Sequence, residues 1–260
     1  MSEGVCAIAV MAKASVAGTV KTRLVPPLTD EEAAAFNTCC LLDIAANVTM
    51  AAAAAPIQAF AAYAPAGSEA FFVSVLPEGF QLLPPKQPTI GRSLFHTAKD
   101  LLAAGYTSVC LVNADSPTLP TQFLIDAVRL LREAGDRVVL GPAADGGYYL
   151  LGLKHFHSWL FEEIDWSTDR VYRQTVTRAA EIGLAVAPLP EWYDVDDAEA
   201  LAVLTRELSS GGHERVAYRD GYPAPKTAAF LRELATGQGG IDRLLGRDQL
   251  SLFAQGAGEA

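Results

Sequence analysis

One stretch, VCLVNADSPTLP at residues 109–120, limits the folds open to this chain more than any other. Val109 to Val112, closed by Asn113, reads as a short and wholly apolar strand. Asp115, Ser116 and Pro117 then make a hard turn, and a helix is predicted from about Thr121. A continuous apolar run of this length, bounded by turn residues, suits a central strand of a parallel sheet covered on both faces. In such sheets ligands bind just beyond the carboxyl ends of the strands, which is where Asp115 stands. Mg²⁺ and Mn²⁺ take oxygen ligands and sit between one or two carboxylates and substrate phosphates. Asp115 is therefore a candidate metal ligand. Simple capping of the turn by Asp115 or Ser116 is the plainer reading of the same residues.

The rest of the chain supplies partners for that strand. Apolar strands are predicted at residues 5–11, 57–63, 137–143, 148–153 and 184–189, with a short one near 80–83. Helices are predicted at 30–50, 69–75, 91–104, 121–134 and 169–182, then from the Asp194–Asp197 region to about Leu208, and near 227–235. Gly105, Gly135 and Gly183 stand where three of these helices should stop. In the first long helix, Thr29 or Asp30 serves as cap, and Phe36, Cys40, Ile44 and Val48 mark a buried side. Asp43 falls within ~20° of Phe36 at 100° per residue, so it needs a partner, expected to be the backbone of a neighbouring loop. Strands alternate with helices throughout. The predicted fold is a doubly wound α/β domain, its mostly parallel sheet carrying helices on both faces. The expected division is residues 1–208 as the main domain and 209–260 as a weakly helical C-terminal extension, with an edge at residues 209–212.

Half of the 260 residues are hydrophobic, which is enough for a sizeable core, and 19% are charged. The net charge of -10 argues against a broad nucleic-acid or anionic-membrane surface. Local balance differs. Before Asp30 the chain carries Lys13, Lys21 and Arg23 against Glu3, which suits one anionic ligand. Cys6, Cys39, Cys40 and Cys110 match no zinc or CxxC spacing and are expected to be reduced core residues of a cytoplasmic protein. No leader is expected before the first strand, and no apolar run approaches the ~18 residues of a membrane span.

Three further motifs carry chemistry, each with a plainer alternative. Lys13, Gly18, Lys21, Thr22 and Arg23 follow the first strand. The glycine spacing is not that of a Walker loop or a dinucleotide fingerprint. Its cations can still wrap a diphosphate, arginine in bidentate fashion and lysine as a point charge; the alternative is a solvated loop. Asp145-Gly146-Gly147 between apolar runs is a strong hairpin signal. The paired glycines also permit close approach of a ligand, with Asp145 placed to accept from a hydroxyl or to assist proton transfer. In Asp194-Val195-Asp196-Asp197 an extended backbone points Asp194 and Asp196 the same way. One of them could complete a metal site with Asp115, while Asp196 or Asp197 caps the next helix. Trp166, Ser167 and Thr168 read equally as a capping turn or a substrate wall. His96, His155, His157 and His213 form no metal-like pair on a predicted helix face.

Taken in order, AKASVAGTVKTRL, NADSPTLP, LGPAADGGYYLLGL, IDWST and YDVDDAEAL resemble the bacterial DUF2064 family of glycosyltransferase A-like proteins. That family is similar to the nucleotidyltransferase that guanylylates phospholactate. The resemblance spans residues 5–204. It implies the GT-A nucleotide-diphospho-sugar transferase fold and a cytoplasmic, metal-dependent transferase. The donor is a nucleotide-sugar or an NTP, and the acceptor is a small molecule. Lys13, Gly18, Lys21, Thr22, Arg23 and Asn113 would hold the nucleotide, with Lys21 and Arg23 acting on the departing diphosphate. Asp115 and Asp196, or Asp194 in its place, would bind Mg²⁺ or Mn²⁺. Asp145 would act on the acceptor, beside Gly146, Gly147, Trp166, Ser167 and Thr168. One departure is the family's Gly-Glu-Arg order, which reads Gly91-Arg92-Ser93 here. Glycosyl transfer is the leading expectation. Nucleotidyl transfer with pyrophosphate release uses the same residues, and a non-catalytic nucleotide-binding protein is the third reading.

Overall fold

The computed structural model describes residues 4–85, 89–209, 221–237 and 240–245. The strands are β1 (Cys6–Lys13), β2 (Ile57–Ala64), β3 (Gln81–Leu83), β4 (Ser108–Asn113), β5 (Arg137–Pro142), β6 (Tyr148–Leu153) and β7 (Ala185–Pro188). The helices are α1 (Asp30–Ala52), α2 (Glu69–Val75), α3 (Ile90–Ala103), α4 (Thr121–Arg132), α5 (Val171–Glu181), α6 (Ala198–Ser209), α7 (Pro225–Thr236) and α8 (Gly240–Leu245). The seven strands form one sheet in the order β3-β2-β1-β4-β6-β5-β7. β1 pairs in parallel with β2 and β4, and β5 in parallel with β7. β6 runs antiparallel to both β4 and β5. The sheet is thus mostly parallel, as predicted, but β4 has a parallel neighbour on one side only. The cause is the Asp145-Gly146-Gly147 turn, which folds β6 back beside β5 as a hairpin.

The period-two alternation of the central strands divides the core. Ile8, Val10, Cys110 and Val112 point to one face, against Leu41, Ile44 and Val48 of α1 and Phe123, Leu124 and Ala127 of α4. Ala7, Ala9, Val109 and Leu111 point to the other, against Leu94, Ala98 and Leu101 of α3 and Ala179 of α5. A third cluster lies on the far side of α1, where Phe36 and Cys40 meet Leu201 and Leu204 of α6, Leu231 of α7 and Leu244 of α8.

α1 is therefore buried on two sides. At 23 residues it is long and apolar enough to cross a membrane by length and composition alone, which corrects the expectation that no segment approached that size. Here it packs between the sheet and the α6–α8 layer. Thr29 caps it through a reciprocal box with Glu32. Asp43 finds the backbone partner its position demanded, accepting from the N–H groups of Lys226 and Thr227 at 3.0 and 2.7 Å. Gly105, Gly135 and Gly183 all adopt positive φ. Residues 210–212, most of the expected domain edge, lie outside the described residues, as does His213.

Candidate active site

The site forms at the carboxyl ends of β1, β2 and β4, where two cavities meet. The larger, about 840 Å³, is lined by Lys13 and Thr19 to Arg23 after β1, Ala62 to Ala64 of β2, and Ile90, Ser93, His96, Thr97 and Asp100 of α3. The smaller, about 500 Å³, is lined by Asn113, Asp145, Gly147, Tyr148, Trp166, Thr168, Asp169 and Asp194. Asp115, Asp196, Arg23, Ser167, Met11 and Ile90 border both. The two predicted metal ligands thus stand at the junction.

Local structure explains how residues so far apart in sequence converge. Beyond β7 the chain keeps running alongside the β5–β6 hairpin, with Trp192 N–H donating to Pro142 O and Trp192 O accepting in turn from Ala144 N–H. That path carries Asp194 toward Asp145. Val195, fully buried, donates its N–H to Asp115 O at 2.9 Å, stitching the acidic segment to the turn after β4. Asp197 rather than Asp196 caps α6, accepting from Ala200 N–H at 2.9 Å, which leaves Asp196 at the junction. On the other side, Asn37 of α1 donates to Lys13 O and Ser15 Oγ and fixes the exit of β1.

Lys21 is the unexpected centre. Its side chain is 4% exposed, and its ammonium lies 2.5 Å from Asp115 Oδ1 and 2.9 Å from Asp196 Oδ1. It also donates to Val195 O at 2.8 Å. Burial alone would lower its pKa; the charges of Asp115 and Asp196 outweigh burial and hold it above the ordinary lysine value. Lys21 adopts a left-handed backbone at φ 49°, and Ser167, which borders both cavities, does the same at φ 64°. Such conformations in non-glycine residues cost on the order of 1 kcal/mol and gather at functional sites.

The negative charges crowd one another. Burial, and after it the charges of Asp145, Asp196 and Asp115, push Asp194 up to about 7. Asp145 is exposed and spends one carboxylate oxygen on Gly147 N–H, 2.8 Å away, so its turn-forming role is real. Gly146 is required on two counts: its φ is +89°, and a Cβ there would fall 2.1 Å from Asp169 O. Gly91 is required because a Cβ would fall 2.2 Å from the Trp166 indole nitrogen.

The predicted residues divide as follows. Lys13, Thr22 and Arg23 line the larger cavity. Asn113, expected beside the nucleotide, lines the smaller one instead, with Gly147, Trp166 and Thr168. Gly18 and Gly146 shape turns without lining either cavity. Arg92 is exposed and lines neither. Sequence reading missed the α3 contribution of Ser93, His96, Thr97 and Asp100, for which only the neighbouring Gly91 gave a signal. It also missed Asp169 and Tyr148. His155 and His157 do share a partner, bonding opposite oxygens of Asp136.

The junction has the donor chemistry for a hard divalent cation. Among the described residues no three His, Cys, Asp or Glu side chains converge on one ion position. Mg²⁺ and Mn²⁺ are usually held by one or two carboxylates with substrate phosphates completing the shell, and two carboxylates are present. That the Lys21 ammonium already sits between Asp115 and Asp196 marks the position as favourable to a cation.

Comparison with known proteins agrees with this architecture. A provisionally assigned nucleotide-diphospho-sugar transferase from Desulfovibrio desulfuricans superposes with a TM-score of 0.76 at 26% identity, covering 94% of this chain and 98% of that one. CMP:2-keto-3-deoxy-manno-octonic acid synthetase in complex with CTP superposes at 0.51 with 8% identity, covering 80% and 99%, a likeness of fold alone. No curated protein matches the chain. A family described as an uncharacterized protein conserved in bacteria, DUF2064, matches residues 47–168. That match and the shared architecture make the chain similar to the DUF2064 family over residues 47–168, and the chain has the glycosyltransferase A-like fold of nucleotide-diphospho-sugar transferases.

Proposed function

We propose that this protein is a metal-dependent transferase that uses a nucleotide-activated donor, and that its reaction is glycosyl transfer from a nucleotide-diphospho-sugar. The observation that carries this reading is the meeting of two cavities at Asp115 and Asp196, one of them lined by Lys13, Lys21 and Arg23. The likeness to the Desulfovibrio protein supports it.

In this reading the nucleotide occupies the larger cavity, its diphosphate at the junction. Asp115 and Asp196 would hold Mg²⁺ or Mn²⁺, which supplies charge stabilisation to the departing diphosphate when bound. Arg23 borders both cavities and is placed to contact the diphosphate at the point of bond breaking. Lys21 keeps the two carboxylates together and contributes positive charge beside the leaving group. Asp145 faces the acceptor from the hairpin turn and orients its hydroxyl or takes its proton. Trp166 forms a wall of the acceptor cavity.

A thermal-shift panel tests this. Nucleoside diphosphates, triphosphates and nucleotide-sugars are each added with and without Mn²⁺ to wild type and Asp115→Asn. A ligand that binds only the native state stabilises it by ~2.7 kcal/mol at one hundred times its Kd. The expected outcome is a Mn²⁺-dependent rise with one nucleotide-sugar, lost in Asp115→Asn, followed by release of the free nucleoside diphosphate on turnover. A rise with triphosphates alone, with pyrophosphate released, would replace glycosyl by nucleotidyl transfer. Binding without turnover across a wide acceptor set would leave a nucleotide-binding protein.

A further inference from the structure

The two cavities differ in charge. The larger sets Lys13, Lys21 and Arg23 against Asp100, Asp115 and Asp196. The smaller sets Asp115, Asp145, Asp169, Asp194 and Asp196 against Arg23, and the Lys21 ammonium at its edge is already bonded to Asp115 and Asp196. A phosphate or carboxylate entering the smaller cavity would meet five aspartates, two of them already paired with Lys21, and compete with the diphosphate for Arg23. Like charges at this spacing repel, and more strongly where walls exclude water.

Two polar atoms of its walls also lack partners of their own among the described residues. Asn113 Oδ1 and the Tyr148 hydroxyl are buried without a hydrogen-bond partner among the described residues, and both residues line this cavity. Asn113 Oδ1 and the ionised aspartate oxygens accept hydrogen bonds and do not donate, while the Tyr148 hydroxyl can do either. What complements them is a ligand that presents O–H or N–H groups. The Trp166 ring, held against Gly91, adds a flat apolar wall, and a volume of about 500 Å³ suits a small molecule.

We infer that the smaller cavity takes a small hydroxyl- or amine-bearing molecule with no anionic group. This rests on the reading of that cavity as the acceptor compartment, and it turns the acceptor of the proposed transfer into a neutral or cationic one. It runs against the phosphorylated acceptor that the nucleotidyl reading calls for.

Ligand-observed saturation-transfer NMR on the full chain, without nucleotide, tests the inference independently of any turnover. The probes share one scaffold: glucose, glucosamine, glucose 6-phosphate and gluconate. Glucose or glucosamine should show saturation transfer, and the two anions should bind at least about tenfold more weakly. Tyr148→Phe, which removes only the hydroxyl, should weaken the bound probe about fivefold, the worth of one hydrogen bond. Asp145→Asn with Asp194→Asn should narrow the gap between neutral and anionic probes. Equal or tighter binding of the anions, or saturation transfer from none of the four, overturns the inference. Neither result touches the nucleotide-dependent shifts on which the transferase reading stands, and failure of those shifts leaves this comparison of charge intact.

Discussion

Lys21 puts an ammonium where Asp115 and Asp196 converge, so a single residue bears on both cation and anion binding. A divalent ion drawn to the two carboxylates meets a resident cation, and a phosphate arriving with that ion offers the lysine a new partner. Lys21→Met separates the two effects. With its ammonium gone, the carboxylates face each other unpaired. They are 34% and 45% exposed, so water screens part of the repulsion, and the expected loss is about 1–2 kcal/mol rather than the larger cost of a fully buried pair. Mn²⁺ should then raise the melting temperature of Lys21→Met more than that of wild type, while transfer activity falls. Equal rises in a Mn²⁺ titration followed by thermal denaturation would show that lysine and metal do not compete. The residues at this junction were legible in the sequence because each lies in the loop that follows a strand: Asp115 immediately after β4, Lys21 and Asp196 further along the loops after β1 and β7. What was not legible was that Lys21 bonds to the carboxylates, because a contact across 175 positions leaves no local pattern.

Two connections between elements each include one carboxylate that serves several donors. Ala224, the residue before α7, adopts φ 42° and has no polar side chain to cap the helix. Asp43 supplies the cap from the middle of α1, accepting from two N–H groups at the α7 N-terminus. Asp43→Ala would leave both donors unpaired, that of Thr227 buried, an expected cost of about 1–2 kcal/mol, and amide exchange in α7 should quicken more than in α4. Equal protection of α7 in both proteins would refute the capping role. Asp136 joins the start of β5 to the segment after β6, accepting from His157 Nε2 at 2.8 Å, His155 Nδ1 at 3.1 Å and Arg137 N–H at 2.9 Å. Burial works to raise its carboxyl pKa, but the hydrogen bonds from His155 and His157 outweigh burial and hold it below the usual range. A carboxyl whose folded pKa lies below its unfolded value of about 3.9 gives stability above that value and loses it as pH falls through the folded one. With Asp136 a third exposed, the contribution is under ~1 kcal/mol. Wild type should therefore melt slightly higher than Asp136→Asn near neutrality and converge with it below about pH 4, which a pH series of melting curves checks. Element order and type were readable from apolar period and glycine stops. The antiparallel placement of β6 was readable only as a hairpin turn, because pairing partners beyond the turn depend on how the whole sheet is assembled.

At the scale of the whole molecule, the fold sets two compartments side by side and gives them different walls. β1, β2 and α3 build the larger, while the β5–β6 hairpin and the turn before α5 build the smaller. If that division is functional, damage to one wall should leave the other compartment working. Gly91 offers the test. It opens the first turn of α3 and touches the Trp166 indole so closely that a Cβ would fall 2.2 Å from its nitrogen. Gly91→Ala must push the indole out of its seat, at a cost of about 1–3 kcal/mol in overpacking, because neither the helix backbone nor a rigid bicyclic ring yields easily. Trp166 lines only the smaller cavity. The expected result is a lower melting temperature, a thermal shift with the preferred nucleotide close to that of wild type, and transfer reduced at least about tenfold through misplacement of the acceptor. A nucleotide shift lost in step with transfer would mean that the two cavities behave as one site, with Trp166 supporting the donor as much as the acceptor.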